Sequence, residues 1–414
     1  MPAPHSAEYS GTMAGQIQRV AMVAMHSSPA AAPGTALAAE LATRGVEVQL
    51  LTRATGIAAR RELLAGVTLH ELEAGPLVML AKDRLASVTD EFGEAVASLA
   101  RTQQYDLLHA HYWLSGIAVL PVAIELGLPL VQSFHTLAAM KNVDLGSPEA
   151  PDATPEPELR VRSEAFIASE ADALVAASSA EASALIDLAG APADRTWIIP
   201  PGVDLALFAP RPASSAAAVR HRLGLEPERP IAVLAGRVQP LKGHELAVRA
   251  LGELRKLRGS VPLLVIAGEA TPGDEGFLAL LRALAQELEV GSDVRFVGAL
   301  ERETLADLLS AATVTVVPSF SETFGLVALE SAASGTPVLG FCTGGLTESI
   351  AEGVSGLVLG TRDPRYWASE IAVMIDNAGR RADFALTARA FAERFTWGAA
   401  ATGLLGVYAG VGRP

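Results

Sequence analysis

Cysteine is nearly absent from this 414-residue chain, which contains only Cys342. A single thiol excludes an intramolecular disulfide and a metal site built from several cysteines. The residue itself is predicted to be a small buried side chain beside a strand, because free cysteine is among the most buried residue types.

Cations are also scarce, since 32 lysines and arginines stand against 46 aspartates and glutamates, for a net charge of −14. A nucleic acid or an anionic membrane requires a basic face on its partner, so the composition excludes both as partners. Any phosphate site must therefore be a local basic pocket in an acidic protein.

Long apolar runs are missing too. The longest, residues 117–131, is interrupted by Pro121, Glu125 and Pro129, so it does not span a bilayer. Residues 1–16 are polar and irregular, with no apolar core of signal-peptide length. We therefore expect a soluble cytoplasmic protein.

What the chain has instead is a repeated alternation of short apolar runs with longer Ala- and Leu-rich helical patterns. The runs lie at 20–25, 46–52, 67–72, 106–110, 128–133, 173–177 and 197–200, then at 230–235, 261–267, 293–297, 314–317, 337–340 and 356–359. This alternation predicts an α/β fold with two parallel sheets, each covered on both faces, and ligands outside the carboxyl ends of the strands. We expect an N-terminal domain over 17–203 and a C-terminal domain over 204–395. A last helix within 396–414 is predicted to pack back on the first domain.

A loop rich in glycine and proline follows the run 230–235 and places Arg237 and Lys242 five residues apart. Arginine offers a planar fork to phosphate oxygens, and lysine offers a mobile point charge. The loop leads into a predicted helix over 244–257, whose N-terminal amides favour an anion. Two solvated surface cations are the alternative, but the position between strand and helix favours a diphosphate site.

A second loop places Glu322 and Glu330 eight residues apart, with Phe324, Gly325 and Leu326 between them. Glu330 is predicted to lie about two turns into a helix that starts near Phe324. A carboxylate among apolar neighbours costs free energy unless it has partners. The amides at the helix start can hold an anion or a hydroxyl. Because carboxylates accept hydrogen bonds from sugar and ribose hydroxyls, the two loops together predict a nucleotide-sugar site.

Histidines lie at the predicted carboxyl ends of strands in the N-terminal half. His109 and His111 would share one face of a strand. No carboxylate or cysteine lies at ligand spacing, so roles in the core or in positioning are favoured over a metal site. His135 follows the run 128–133, and this edge position predicts a functional role.

Four cations of the same half are candidates for binding an acceptor, namely Lys82, Arg84, Arg160 and Arg162. From spacing alone, each is expected to be a surface residue.

The two loops resemble the diphosphate and donor-sugar motifs of the retaining nucleotide-sugar glycosyltransferases of family four. The similarity extends over nearly the whole chain from about Val20. It implies two Rossmann-like domains, the GT-B architecture, with a cleft between them. Residues 106–116, 135–142 and 154–160 are most similar to family members that glycosylate an inositol phosphate in mycothiol biosynthesis.

The roles of individual residues follow from this resemblance. The catalytic set is Arg237, Lys242, Glu322 and His135. The donor-binding set is Phe324, Gly325, Leu326, Glu330 and Gly34. The acceptor-binding set is His26, Lys82, Tyr112, Thr136 and Arg160. In these sets the catalytic cations would hold the diphosphate, Glu322 the sugar hydroxyls and Glu330 the ribose.

The chain departs from the family pattern after the first strand. Family members carry a loop with a Gly-Gly pair there, whereas residues 25–35 of this chain run directly into a helical pattern at 36–41. A shorter loop would enlarge the cleft, which suits a bulkier donor sugar or a different acceptor.

We therefore expect a retaining glycosyltransferase that uses a nucleotide-sugar donor, such as UDP-GlcNAc or a GDP-sugar. Its acceptor would be a small polar molecule, such as inositol 3-phosphate. The leaving diphosphate would stay beside the anomeric carbon and help to take the acceptor proton, so charge stabilisation matters more than a protein base. No metal and no other cofactor is expected. The sequence leaves open whether the protein forms a homodimer.

Three alternatives remain at this stage. One is an antibiotic or secondary-metabolite glycosyltransferase with a non-phosphorylated acceptor. The others are a non-catalytic sugar-nucleotide-binding homologue and a sugar phosphorylase or sugar-nucleotide epimerase on a similar two-domain fold.

Overall fold

The computed structural model describes residues 5–6, 17–26, 32–147, 149–151, 153–270 and 275–412. It divides the chain into two compact units. The N-terminal unit contains Met1–Asn142, Glu156–Gly202 and Trp397–Pro414, and the C-terminal unit contains Val143–Pro155 and Val203–Thr396. The segment Val143–Pro155 falls within the N-terminal domain expected over 17–203, but in the structure it groups with the C-terminal unit.

The described residues of the N-terminal unit form one nine-stranded sheet. Its strands are β1 (His5–Ser6), β2 (Arg19–Val23), β3 (Glu47–Arg53), β4 (Arg60–Leu64), β5 (Val67–Leu72), β6 (Leu107–His111), β7 (Leu130–Ser133), β8 (Ala173–Ala176) and β9 (Thr196–Ile198). The spatial order is β1-β9-β8-β7-β6-β2-β3-β5-β4. The pairing of β4 with β5 is antiparallel, and the other pairings described are parallel.

Both faces of this sheet are buried. Val20 and Met22 of β2 belong to one apolar cluster, and Ala21 and Val23 belong to another, as expected when successive side chains point to opposite faces. The covering helices are α1 (Ala32–Thr43), α2 (Lys82–Leu85), α3 (Thr89–Gln103), α4 (Trp113–Leu126), α5 (Ala138–Leu145), α6 (Glu158–Glu170) and α7 (Ser179–Ala189).

The C-terminal unit contains a six-stranded parallel sheet in the order β12-β11-β10-β13-β14-β15. Its strands are β10 (Ile231–Ala235), β11 (Leu263–Ala267), β12 (Val294–Gly298), β13 (Val314–Val317), β14 (Val338–Phe341) and β15 (Gly356–Leu359). Its helices are α8 (Ala213–Arg222), α9 (His244–Arg258), α10 (Glu275–Glu287), α11 (Arg302–Ala311), α12 (Leu326–Ala333), α13 (Leu346–Ser349), α14 (Pro364–Asp376) and α15 (Ala378–Ala392). The predicted fold class, two parallel α/β sheets, is confirmed.

The last helix, α16 (Trp397–Val411), belongs to the N-terminal unit and packs on α1. Leu404, Val407 and Tyr408 lie in the apolar cluster that covers one face of the nine-stranded sheet. No helix in the described ranges is long and apolar enough to cross a bilayer.

Each sheet has a point where the strand order reverses. In the N-terminal unit this point lies between β2 and β6, and in the C-terminal unit it lies between β10 and β13. Crossover connections diverge at such a point and leave a crevice at the carboxyl ends of the two strands, where open α/β sheets bind ligands.

The prediction for Cys342 was wrong, because its side chain is exposed. Strand β14 ends at Phe341, and the chain leaves the sheet at the next residue.

Candidate functional site

The predicted diphosphate residues follow β10, at the reversal point of the C-terminal sheet. Arg237 is exposed, and Lys242 ends a short 3-10 turn, Pro240–Lys242, which leads into α9. Gly243 adopts a left-handed φ of 69°, and a Cβ added there would lie 2.0 Å from the carbonyl oxygen of Pro318. Only glycine therefore allows the loop after β10 to approach the loop after β13 this closely.

These two loops are joined by an ion pair. Lys242 Nζ donates to Oε1 of Glu322, which also accepts a hydrogen bond of 2.9 Å from Ser319 Oγ. The side chains of Lys242 and Glu322 are 24% and 13% exposed, so the pair is largely shielded from water. In addition, the backbone N–H of Phe320 donates to the carbonyl oxygen of Leu241 at 2.8 Å. The structure thus brings together the predicted cation and the predicted sugar-binding carboxylate.

The helix that carries Glu330 begins later than predicted. Gly325 has a φ of 94° and caps α12, which starts at Leu326, so Glu330 lies about one turn into the helix. Phe324 is buried and its ring packs on Phe395, so only its backbone remains to contact a nucleotide-sugar donor.

Glu330 is buried and forms an ion pair with Arg302 at 3.4 Å. Burial raises the pKa of Glu330 to about 7, although Arg302 opposes this shift. The Arg302 guanidinium lies 5.0 Å from the centre of the Phe208 ring, which holds it in place. The sequence predicted that this carboxylate needs a partner, but no sequence signal identified Arg302.

Four of the five predicted acceptor residues lie together in the N-terminal unit. His26 follows β2, Tyr112 follows β6 and Thr136 follows β7. The rings of His26 and Tyr112 are 4.3 Å apart, and the Arg160 guanidinium lies 5.0 Å from the centre of the Tyr112 ring. Arg160 Nη2 donates to Thr136 Oγ1 at 2.9 Å.

The structure describes the remaining predicted residues of this unit, Lys82 and Gly34, only in part. Lys82 is the first residue of α2, and its side chain lies outside the described part of the chain. Residues 27–31 of the shortened loop also lie outside the described residues. Gly34, predicted to lie in that loop, is in the first turn of α1, where backbone amides have no partner within the helix.

The expectation that Arg160 lies on the surface was wrong, because its side chain is only 3% exposed. Its Nε donates to Glu164 at 2.7 Å, and its Nη1 lies 2.8 Å from Glu156. Glu156 also binds Lys141 at 2.7 Å. The two carboxylates, one in the loop four residues before Arg160 and one in α6 four residues after it, offset the cost of burying the guanidinium. Arg84 and Arg162 are exposed, as expected.

A group of histidines lies beside this acceptor cluster. Tyr112 and His135 adopt left-handed φ values of 72° and 61° at the ends of adjacent strands, a strained conformation that is common at functional sites. His111 Nδ1 lies 2.8 Å from His135 Nε2. Burial lowers the pKa of His111 well below its ordinary value.

His109 lies next to His111, with ring centres 4.2 Å apart. Its Nδ1 is 2.7 Å from the hydroxyl of Tyr408 on α16, and its Nε2 is 2.9 Å from Ser133 Oγ. Within the described residues, no group of three or more histidine, cysteine or carboxylate side chains is arranged to hold a metal ion.

Comparison with known families gives two matches that together span most of the chain. The model described as "Glycosyltransferase Family 4" matches residues 35–207, and the model "Glycosyl transferases group 1" matches residues 216–391. Among curated relatives, D-inositol 3-phosphate glycosyltransferase of Acidothermus cellulolyticus is 41% identical over 94% of this chain and 90% of its own length. The chain belongs to glycosyltransferase family 4.

Solved structures similar to this family 4 glycosyltransferase share its architecture. Sucrose-phosphate synthase from Thermosynechococcus elongatus superposes with a TM-score of 0.83, with 28% identity over 94% of this chain and 98% of that one. HepE from Anabaena, in complex with UDP-glucose, gives a TM-score of 0.74 with 22% identity over 93% and 97% of the two chains. The predicted GT-B fold, with two Rossmann-like domains, is confirmed.

Proposed function

We propose that this family 4 glycosyltransferase transfers a sugar from a UDP-sugar, such as UDP-GlcNAc, to inositol 3-phosphate with retention of anomeric configuration. The observation that carries the donor part is the ion pair of Lys242 with Glu322 at the reversal point of the C-terminal sheet, with the exposed Arg237 on the same loop as Lys242. The loops after β10 and β13 thus carry cations that can bind a diphosphate and a carboxylate that can bind sugar hydroxyls. Glu330 lies in the same unit, on α12, as a buried acceptor for ribose hydroxyls.

The acceptor part rests on the cluster of His26, Tyr112, Thr136 and Arg160 and on the names of the relatives. Hydroxyl, imidazole and guanidinium groups provide the donors that a phosphorylated polyol requires. An inositol phosphate fits this chemistry.

In the proposed reaction the bond between the anomeric carbon and the diphosphate oxygen breaks while the acceptor oxygen attacks from the same face. The acceptor proton passes to the departing phosphate oxygen, so the step needs no strong protein base. Arg237, Lys242 and the N-terminal amides of α9 would stabilise the charge that develops on the diphosphate. With this charge met by the chain's own groups, transfer would proceed without a metal.

One observation favours a second candidate, a transferase with a non-phosphorylated acceptor. The Arg160 guanidinium is already bound by Glu156, Glu164 and Thr136. A phosphate would have to compete with two carboxylates for this cation, whereas a neutral polyol would not.

The test is a matrix of donors and acceptors. UDP-GlcNAc, UDP-glucose and GDP-mannose are each incubated with inositol 3-phosphate and with inositol, and products are followed by mass spectrometry and proton NMR. An α-linked product from inositol 3-phosphate supports the proposal, and a β-linked product overturns retention. Product from inositol alone favours the second candidate. UDP binding without transfer in any combination favours a non-catalytic homologue.

A further inference from the structure

Arg362 has a side chain that links the carboxyl ends of three neighbouring strands of the C-terminal sheet. It follows β15 by three residues, and β15 is paired to β14, which is paired to β13. Its Nη1 donates to the carbonyl oxygen of Pro318 at 2.8 Å, and its Nη2 donates to that of Ser319 at 2.9 Å. Because β13 ends at Val317, these carbonyls belong to the first two residues of the loop that carries Glu322.

The guanidinium of Arg362 is also stacked between two phenylalanine rings. Its Cζ lies 3.5 Å from the centre of the Phe320 ring and 3.5 Å from the centre of the Phe341 ring. Two rings this close must lie on opposite faces of the planar group. Phe341 ends β14 and Phe320 belongs to the loop itself, so the stack holds the loop against the sheet. Arginine suits this place because its flat group stacks on rings while its edge donates hydrogen bonds.

Arg362 carries its positive charge under physiological conditions. Burial lowers its pKa to about 10, although Glu149 and Asp144 oppose this shift. A charged donor binds a carbonyl oxygen more strongly than a neutral donor does, so both bonds to the loop are of the stronger kind. A lysine would keep the charge, but it would provide neither the stack nor the two donors in one plane.

The carbonyl group of Pro318 also lies at the contact between the loops after β10 and β13. A Cβ added to Gly243 would lie 2.0 Å from this oxygen. The orientation of the Pro318 carbonyl therefore sets how closely the two loops approach each other. Through this carbonyl, Arg362 acts on the spacing between Lys242 and Glu322, which the two loops carry.

The carboxylate of Glu322 contacts Lys242 and Ser319 Oγ among the described residues. In the proposed function a diphosphate takes Lys242, which leaves Ser319 to hold the carboxylate. The backbone of Ser319 is in turn held by Arg362. The place of Glu322 in the enzyme with bound donor therefore depends on Arg362.

We infer that Arg362 is a positioning residue for Glu322: it fixes the backbone of the loop after β13, so that the carboxylate keeps its place for the donor sugar when a diphosphate displaces it from Lys242. This inference rests on the proposed function, in which Glu322 binds sugar hydroxyls. Arg362 acts through the geometry of the loop and does not itself touch the donor. A misplacement of about 1 Å in a group that orients a substrate can cost about 100-fold in rate.

Arg362→Ala opens a gap between the two rings, and the lost guanidinium can be supplied there from solution. We expect this variant to lower turnover about 10- to 100-fold, because the carboxylate is misplaced. The Kd for free UDP should stay nearly unchanged, because UDP lacks the sugar that Glu322 binds. Guanidinium chloride at a non-denaturing concentration should restore part of the turnover, whereas ammonium chloride at equal ionic strength should not, since ammonium is not planar. Turnover near that of the wild type, or equal rescue by ammonium, overturns the inference.

The double variant Glu322→Ala/Arg362→Ala tests whether Arg362 acts through Glu322. It should be no slower than Glu322→Ala alone, and guanidinium should not accelerate it. Additive losses overturn the inference. Arg365→Ala is the matched control, because Arg365 lies three residues further along the chain and its side chain is 81% exposed. This control should keep the turnover of the wild type.

Hydrogen exchange at the amide of Phe320 reports on the loop without any sugar transfer, because this N–H donates to the carbonyl oxygen of Leu241. We expect faster exchange in Arg362→Ala, slower exchange again with guanidinium, and no change in Arg365→Ala. Equal exchange in Arg362→Ala and the wild type overturns the inference. If Arg362→Ala does not fold, Arg362→Lys takes its place with the same expected directions, because lysine lacks the stack. If the wild type transfers no sugar, the proposed function fails, while hydrogen exchange still decides whether Arg362 holds the loop.

Discussion

Lys242 and Glu322 lie 80 residues apart in the sequence and form an ion pair across the loops that follow β10 and β13. In the proposed function, a donor diphosphate would have to compete with Glu322 for the lysine. Arg237 is exposed, and no ion pair of Arg237 occurs among the described residues. In the proposed function, Arg237 would be the cation that a diphosphate can bind without displacing a carboxylate.

The first prediction concerns these two cations. Arg237→Ala and Lys242→Ala should each lower turnover by about two orders of magnitude, because each removes a charge-assisted contact to the leaving group. The fold should survive, since neither side chain lies in the core. Lys256→Ala is the control, as a well exposed lysine in the last turn of α9. The measurement is the initial rate of transfer at saturating donor. Near-normal rates in both variants would mean that the diphosphate binds at another site.

The second prediction separates the two glutamates by calorimetry with free UDP. Glu330→Ala should weaken UDP binding, because the ribose loses its acceptor. Glu322→Ala should leave UDP binding intact or strengthen it, because Lys242 is released, and yet it should impair sugar transfer. The reverse pattern would mean that Glu322 binds the ribose and Glu330 binds the sugar.

Much of the fold was predictable because both sheets are buried on two faces. Such strands appear in a sequence as short apolar runs, and the runs 67–72, 314–317 and 356–359 match β5, β13 and β15 residue for residue. Strand β4 was missed because its sequence, beginning Arg60-Arg61-Glu62, is polar. It lies at the exposed edge of the sheet and pairs antiparallel, so burial does not constrain its side chains.

The site was predictable only in part. Positions after β10 and β13 could be inferred from the strand pattern, because the carboxyl ends of parallel strands meet at one edge. The residues that bind the predicted side chains could not be inferred from the sequence. Arg302 lies 28 residues before its partner Glu330, and Tyr408 lies 299 residues after its partner His109. Arg160 shows a different difficulty. Carboxylates four residues away usually indicate a solvated helical face, but here they accompany a buried cation.

The third prediction concerns the pH dependence of stability. The pKa of Glu330 in the folded protein is about 7, against an ordinary value of 4.5, so the folded state holds this proton more tightly than the unfolded state. The free energy of unfolding should therefore fall as pH rises from about 4.5 to 7, by an amount on the order of 3 kcal/mol. Glu330→Gln removes this loss. It should raise the melting temperature at pH 8 and have little effect at pH 5, while the exposed Glu303→Gln changes neither. Equal effects at both values would show that Glu330 does not titrate in this range.

The fourth prediction concerns metal removal. Because we propose that Arg237, Lys242 and the N-terminal amides of α9 stabilise the diphosphate, EDTA treatment should leave the transfer rate unchanged. Added Mg²⁺ or Mn²⁺ should not raise the rate of the treated enzyme. A rate that collapses with EDTA and returns with one metal would mean that the cations of the loop are insufficient.

The last prediction distinguishes a phosphorylated from a neutral acceptor. Arg160 is buried between Glu156 and Glu164, so its replacement by alanine would leave two carboxylates without their partner. Arg160→Lys keeps the charge but removes the planar fork, and Lys82→Ala removes a charge at the start of α2. With inositol 3-phosphate, both variants should raise the acceptor KM about tenfold or more, because a charge-assisted contact to phosphate is lost, while the Kd for UDP stays unchanged. With a neutral acceptor, Lys82→Ala should change KM only slightly. Arg162→Ala is the matched control, because Arg162 lies on the same helix as Arg160 and is 77% exposed. An acceptor KM that does not respond to either variant would mean that the cluster around Tyr112 does not hold the acceptor phosphate.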